Sequence, residues 1–327
     1  MQYKRKDEHL KLALRQQERT NDFDMIRLKH HSVPELNVNE INLTTTIFGQ
    51  EFSYPFYINA MTGGTKKAAK VNHKLAEIAL HYNIPFFLGS QSIALKNETL
   101  QEQYYALRKK YPTLFLVANV NPNMTVVEAK MAIKMIDANA LAIHVNSVQE
   151  LAMAEGDRDF TAWLKNIEAI IKSVKVPVIV KEVGYGMTRE TVLKLKAIGV
   201  KYFDISGAGG TDFTAIESAR QKKKDSVLSE FKLSTVESLL DLENIDDITL
   251  HASGGIRNSV DIVKALALNA KAVGLARYFL KLTKYNERKI KDTIDVLIED
   301  LKKVMCLVNI KNIGDLDKSI IYISKLK

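Results

Sequence analysis

Eight short apolar runs, each followed by polar or glycine-rich residues, constrain this chain more than any other feature of its sequence. They are PFYINA (55–60), PFFLG (85–89), LFLVANV (114–120) and ALAIHV (140–145), then PVIVKEV (177–183), YFDIS (202–206), ITLHAS (248–253) and AVGLA (272–276). Near-continuous apolar runs, rather than alternating ones, are the mark of strands covered on both faces. The segments between them have helical spacing, as at 68–82, 125–136 and 259–270, with cap-type residues near two of the starts at Thr125 and Asn258–Ser259. Strand and helix thus alternate eight times. Eight is the number that closes a parallel barrel, and each crossover is long enough to hold a helix. An open doubly wound sheet would place G-x-G-x-x-G directly after the first strand, and MTGGTKK (61–67) is a different pattern.

The expected fold is therefore α/β, a (β/α)8 TIM barrel forming one domain over residues 1–327. Three pieces fall outside the repeat: an N-terminal arm at 1–50, an extended connection after strand six at 207–247, and C-terminal helices at 285–327.

Composition narrows the setting. The chain is 46% apolar and 26% charged, enough for a large core under a solvated surface. Its single cysteine, Cys306, excludes a disulfide framework and points to a reducing compartment. The opening MQYKRKDEHL is charged from its fourth residue, with no apolar stretch behind it to serve as a secretory signal. No run reaches the roughly 18 apolar residues of a membrane span. A cytoplasmic protein with no membrane partner is expected. The net charge of +9 suits an anionic small molecule, a nucleic acid or simply a solvated surface. The basic run RQKKKD (220–225) has no interleaved aromatics, which argues against nucleic acid.

Chemistry in such barrels sits at the C-terminal ends of the strands. Polar residues collect there: Met61-Thr62-Gly63-Gly64 after strand one, Ser90-Gln91 after strand two, and Asn119 and Asn121 at strand three. His144, Asn146, Gln149 and Glu150 follow strand four, and Lys181-Glu182 closes strand five. Ser206 with GAGGTDF (207–213) follows strand six, Ser253 to Arg257 follow strand seven, and Gly274 to Arg277 end strand eight.

Physical roles suggest themselves. Gly254-Gly255 leads into a helix near Asn258, placing backbone N–H groups where a phosphate binds, and Gly274 adds a second close approach. Lys181, ending an apolar strand, needs an anion, an acceptor or an electron-rich ring; an ion pair with Glu182 would also satisfy it. Glu150 stands among few carboxylates, and Mg²⁺ asks for only one or two beside phosphate oxygens and water. His144 is a ligand, an acid or a core histidine. On residues alone Arg5, Lys6 and His9 read as a solvated charged terminus.

These stretches resemble one family, the FMN-dependent type 2 isopentenyl-diphosphate isomerases. The resemblance rests on RKDEHL (5–10), INAMTGG (58–64), LGSQ (88–91), IHVNSVQE (143–150), PVIVKEVGYGM (177–187), DISGAGGTDF (204–213) and HASGGIRNSVDIVKALALNAKAVGLA (251–276). It implies an enzyme interconverting isopentenyl diphosphate and dimethylallyl diphosphate in isoprenoid biosynthesis. The cofactors implied are reduced FMN and Mg²⁺, with NADPH as reductant, in a homotetramer or larger assembly. Ala60, Met61, Thr62, Ser90, Asn119, Lys181, Ser206 and Thr211 match positions that hold FMN. Gly255, Ile256 and Arg257, with Ala276 and Arg277, match its phosphate-binding segments. Arg5, Lys6, His9, Ser90, Gln91, His144, Asn146 and Gln149 are the implied substrate contacts, and Glu150 is the implied Mg²⁺ ligand. Gln149, His144 and Lys181 are the implied catalytic residues. By the same resemblance the basic N-terminal cluster becomes an arm that closes over a diphosphate.

Three positions depart from the family: Ser92 where many members have arginine, Arg277 where glycine is usual, and Asp212 where asparagine is commoner. Two rival flavin or barrel chemistries make distinct demands. A 2-hydroxy-acid oxidase would want a catalytic histidine past the end of strand seven, whereas His251 lies within ITLHAS. A dehydrogenase with a loop cysteine nucleophile would need a cysteine near a strand end, and Cys306 is far from one.

Overall fold

The computed structural model describes residues 8–9, 11–16, 20–61, 63, 65–222 and 226–324. Arg5, Lys6 and Thr62 lie outside the described residues.

Eight parallel strands close into a barrel: β1 (Phe56–Ile58), β2 (Phe86–Phe87), β3 (Leu116–Val120), β4 (Ala140–His144), β5 (Val178–Lys181), β6 (Tyr202–Asp204), β7 (Thr249–Ser253) and β8 (Ala272–Leu275). Each pairs with its successor, and β8 pairs back onto β1 through Val273↔Phe56 and Leu275↔Ile58. Every strand lies within the apolar run expected to form it, and each is shorter than its run. Surplus residues past the C-terminal ends of the strands, among them Asn59, Ala60, Gly89, Val183, Ser206 and Ala276, line the mouth of the barrel.

The helices around the barrel are α1 (Lys66–His81), α2 (Glu98–Lys110), α3 (Val126–Met135), α4 (Ser147–Ala152), α5 (Trp163–Ser173) and α6 (Arg189–Ala197). They continue with α7 (Phe213–Gln221), α8 (Thr235–Asp241), α9 (Ser259–Ala267), α10 (Arg277–Leu282) and α11 (Glu287–Leu307). Their starts are chemically marked. Thr125 accepts from Glu128 N while Glu128 reaches back to Thr125 N, a reciprocal pair that satisfies two otherwise orphaned donors. Asn258 accepts from Asp261 N at the start of α9.

Two apolar regions hold the fold. The larger lies between strands and helices; the smaller fills the barrel with Tyr57, Phe87, Val117, Ala142 and Ile179. A hairpin, Thr45–Ile47 paired with Gln50–Phe52, closes the end opposite the mouth. Its turn runs through Phe48 (φ 53°) and Gly49 (φ 80°), the double positive-φ geometry of a tight two-residue hairpin. That turn drives the Phe48 ring to within 4.9 Å of the Tyr202 ring and 5.6 Å of the His251 ring. Phe48 is a plug.

The pieces outside the repeat are more ordered than their composition suggests. The stretch 207–247 contains α7 and α8, and Thr235 Oγ1 ties α8 to the carbonyls of Ser253 and Gly254 at 2.7 Å each. The segment 285–327 is not all helical: Ile321–Ile323 forms an antiparallel pair with Ile26–Leu28, joining the two ends of the chain. The stretch read as one arm at 1–50 thus divides. Its later part is a strand and a hairpin packed on the barrel, whereas the described residues His9, Gln16 and Asn21 of its earlier part reach the mouth. No helix among the described residues is long and apolar enough to cross a membrane.

Candidate active site

The mouth of the barrel opens into a cavity of about 690 Å³, in the size range of small-ligand sites. The strand ends supply its lining: Asn59, Ala60 and Met61 from β1, Ser90 from β2, Asn119 from β3, His144 from β4, Lys181 from β5, Ser206 from β6, Ser253 from β7 and Gly274 from β8. Loop residues complete it, among them Asn146, Gln149, Glu150, Thr211, Gly255, Ile256, Arg257, Ala276 and Arg277, with His9 from the arm. Every described residue of the sequence-derived site lines this cavity except one.

The exception is Gln91. It is fully buried outside the mouth, where Nε2 donates to Ala132 O at 3.1 Å and Oε1 accepts from Asn119 N at 3.0 Å. Successive residues of an extended segment point to opposite sides, so Ser90 in the cavity puts Gln91 against α3. Gln91 shapes the wall from behind and is not placed to touch a substrate.

One wall is built of glycines. Gly254 and Gly255 both have positive φ, at 89° and 76°, which a residue with a side chain rarely adopts. A β-carbon on Gly210 would lie 3.0 Å from Gly255 N, and one on Gly207 would lie 2.2 Å from Thr235 N. The loops after β6 and β7 therefore touch backbone to backbone. At the next strand end, α10 begins at Arg277 behind Ala276, which makes no side-chain cap. Backbone N–H groups concentrated in this way, without side chains to cover them, fit a phosphate.

Arg257 is not one of the free cations of that wall. Its guanidinium pairs with Asp24 (3.1 Å from Nη1) and with Asp261 (2.8 Å from Nε), and these two carboxylates hold its pKa well above the usual arginine range. It pins the arm to α9. Arg277 also reaches the arm, donating from Nη1 to Gln16 O at 3.3 Å.

The floor is polar. Lys181 is buried at the end of β5, and its Nζ donates to Glu182 O at 2.6 Å and lies 3.9 Å from Asp204 Oδ2. The alternative partner, the Glu182 carboxylate, is turned away and accepts the N–H groups of Val183, Gly184 and Tyr185 at 2.6–2.8 Å. Burial still lifts its pKa to about 7, against the pull of those three donors. Asn119 is oriented by donating from Nδ2 to Leu88 O at 2.9 Å, so its Oδ1 accepts from His144 Nδ1–H at 2.7 Å. That bond places the His144 ring proton on Nδ1.

The wall after β4 is acidic. Glu150 Oε1 accepts from Asn146 Nδ2 at 2.9 Å and Oε2 from Asp157 N at 3.0 Å, which fixes the carboxylate while leaving a lone pair on each oxygen. Beside it, the buried Oδ1 of Asn146 has no partner among the described residues. These are hard oxygen donors suited to Mg²⁺. Among the described residues no group of three or more His, Cys, Asp or Glu could hold a metal, so a cation here would rely on substrate oxygens and water.

The arm is stitched over the mouth by contacts that no local pattern reveals. His9 Nε2 is 2.6 Å from Glu217 Oε1, a carboxylate almost wholly buried that also pairs with Arg220. Gln16 and Asp212 exchange two bonds, Gln16 Nε2 to Asp212 O at 2.9 Å and Asp212 N to Gln16 Oε1 at 3.0 Å. Asn21 Nδ2 donates to Gly255 O at 2.8 Å, so the arm rests directly on the glycine wall. Asp212 further pairs with Lys232 at 2.7 Å, and its carboxyl pKa lies below the ordinary value despite burial. A carboxylate at that departure from the family is thus matched by its own lysine.

A (β/α)8 barrel with a glycine-built anion cradle beside a buried lysine fits one class, the FMN-dependent barrel enzymes. The family model described as FMN-dependent dehydrogenase matches residues 7–124 and 118–323. Flavocytochrome b2 shares the fold at a TM-score of 0.70 and 20% identity, over 98% of this chain and 83% of that one. The (S)-mandelate dehydrogenase structure does so at 0.66 and 15%, over 97% and 92%. Nearer relatives carry another name. Isopentenyl-diphosphate delta-isomerase of Listeria welshimeri is 46% identical over 322 residues, spanning 97% of this chain and 90% of that protein. The enzyme of the same name from Staphylococcus epidermidis is 43% identical over 326 residues, spanning 98% and 93%. The chain belongs to the isopentenyl-diphosphate delta-isomerase family, in its FMN-dependent form.

Proposed function

We propose that this chain interconverts isopentenyl diphosphate and dimethylallyl diphosphate in isoprenoid biosynthesis, with reduced FMN and Mg²⁺ bound. One observation carries the reading: a single cavity joins a glycine cradle, a floor with a buried lysine, and the Glu150–Asn146 pair with its orphaned amide oxygen. The cradle suits the FMN phosphate, the floor its ring system, and the acidic wall a cation-bound diphosphate.

The reduced flavin supplies an electron-rich ring whose N5 region exchanges protons. The protein's own part is to hold and to shield. Asn119, bonded to His144 Nδ1, keeps that imidazole in one tautomer beside the substrate. Asn146 holds the Glu150 carboxylate to receive Mg²⁺, and Gln149, which is buried beside it, meets the substrate as a catalytic residue. Ser90, whose Oγ is 2.9 Å from Ser92 Oγ, borders the same wall. Arg5, Lys6 and His9 neutralise the diphosphate and exclude water as the arm closes. NADPH serves as the reductant, and the enzyme works in the cytoplasm as a homotetramer or larger assembly. Isomerisation needs a proton added at the terminal alkene carbon and one removed beside the ester carbon, through a species close to a tertiary cation. A dry, amide-lined pocket suits that charge.

The 2-hydroxy-acid oxidase reading loses ground to geometry. His251 is completely buried inside the barrel, packed between Phe48 and Tyr57, and does not border the cavity. The test is the visible absorption of purified protein, then isomerisation with and without a flavin reductant and Mg²⁺. A flavin spectrum with turnover only in the reduced, Mg²⁺-containing sample supports the assignment. A flavin spectrum without isomerisation would return the oxidase chemistries, and no flavin even after adding FMN would overturn the reading.

A further inference from the structure

Asp204 closes β6 and is wholly inaccessible, yet it touches the floor of the cavity from four directions. Oδ1 accepts from Ser253 Oγ at 2.6 Å and from Ser206 N at 3.3 Å. Oδ2 accepts from Asn59 Nδ2 at 2.9 Å and lies 3.9 Å from Lys181 Nζ. Asn59, Lys181, Ser206 and Ser253 all border the cavity, and Asp204 does not. These four come from β1, β5, β7 and the loop after β6. One carboxylate therefore gathers the ends of four strands beneath the site.

A buried carboxylate is costly unless paired and hydrogen-bonded, and this one has both kinds of partner. Its donors are held in turn: Asn59 Oδ1 accepts from Ala60 N at 2.8 Å, so neither end of that amide is free to rotate. Among the described residues Asp204 is the one carboxylate within 4.0 Å of the Lys181 amine.

We infer that Asp204 is the positioning residue of this floor: it fixes Asn59, Ser206 and Ser253 and tempers the positive charge that Lys181 presents to a bound flavin. The inference rests on the floor carrying the flavin ring. It reaches beyond packing because Asp204 is a carboxylate 3.9 Å from the lysine amine, behind the Glu182 carbonyl that the amine bonds at 2.6 Å. An anion beneath the ring disfavours the more negative reduced form, and its removal favours that form.

The experiment uses the FMN-loaded protein and reads the flavin midpoint potential by dye-coupled reduction, beside the melting temperature. Asp204→Asn, nearly isosteric and uncharged, shifts the potential to a more positive value. Ser253→Ala, which takes away the 2.6 Å donor and leaves the carboxylate less shielded, shifts it to a more negative value. A purely structural pin, once loosened, would lower the melting temperature in both variants without opposite shifts in potential. Potentials equal to wild type in both variants overturn the inference. If Asp204→Asn does not fold, Ser253→Ala alone decides by the direction of its shift. Wild-type protein that retains no FMN overturns the reading of the floor itself, and this inference with it.

Discussion

The α-carbon of Gly254 sits so close to the carbonyl of Gly207 that a β-carbon built on it would lie 1.9 Å from that oxygen. The two loops after β6 and β7 are in contact through backbone alone, and Gly254 also holds a φ of 89°. Alanine there meets both a steric and a conformational barrier, and the obstructing atom is backbone that cannot swing aside. Gly254→Ala is expected to destabilise the protein on the order of 2–4 kcal/mol and to abolish FMN retention. Thermal unfolding and the visible absorption of bound flavin measure the two effects. A variant that melts with wild type and stays yellow would mean the cradle is not rigid.

Glu150 is held at both carboxylate oxygens, by Asn146 and by the Asp157 N–H. Replacing it with glutamine keeps the shape but loses the charge that draws a cation. Glu150→Gln should lower kcat/KM on the order of 2–4 kcal/mol in transition-state terms, with a raised Mg²⁺ requirement. Activity titrated against Mg²⁺ reads this directly. An unchanged requirement would remove Glu150 from the metal site.

Lys181 is buried, and among the described residues its amine meets Glu182 O and Asp204 besides the cavity. Lys181→Ala leaves Asp204 as an uncompensated buried charge under the site. FMN retention or the stability of its reduced form is expected to fall, checked by fluorescence of released flavin and by reductive titration. Full retention together with normal turnover would contradict a flavin role for this lysine.

The barrel and most of the mouth are legible in the sequence because strands covered on both faces leave continuous apolar runs, each ending where polar residues begin. The finer assignments fail where geometry is not local. Ser90 and Gln91 are adjacent and equally polar, and only the alternation of an extended segment separates the cavity residue from the wall residue. The same alternation could have singled out Asp204, a carboxylate inside the apolar run YFDIS, which needs partners if it is buried. No comparable signal marks the arm: His9 and Glu217 are 208 residues apart, and Gln16 and Asp212 are 196 apart. Nor does the run Ile321–Ile323 announce a strand, because its partner Ile26–Leu28 lies at the opposite end of the chain.

His251 lies inside the barrel with neither ring nitrogen bonded among the described residues, and burial depresses its pKa to about 4. The ordinary histidine value is 6.5, so between these two pH values the unfolded chain binds a proton that the folded chain refuses. Stability therefore falls as pH drops from 6.5 toward 4, by about 3 kcal/mol for this group alone. His251→Leu removes the titration and leaves an apolar side chain among Phe48, Tyr57 and Phe87. Urea unfolding at neutral pH and again near the lower pKa checks it: the variant's advantage over wild type should widen on acidification. Parallel losses in both proteins would show that another group sets the acid sensitivity.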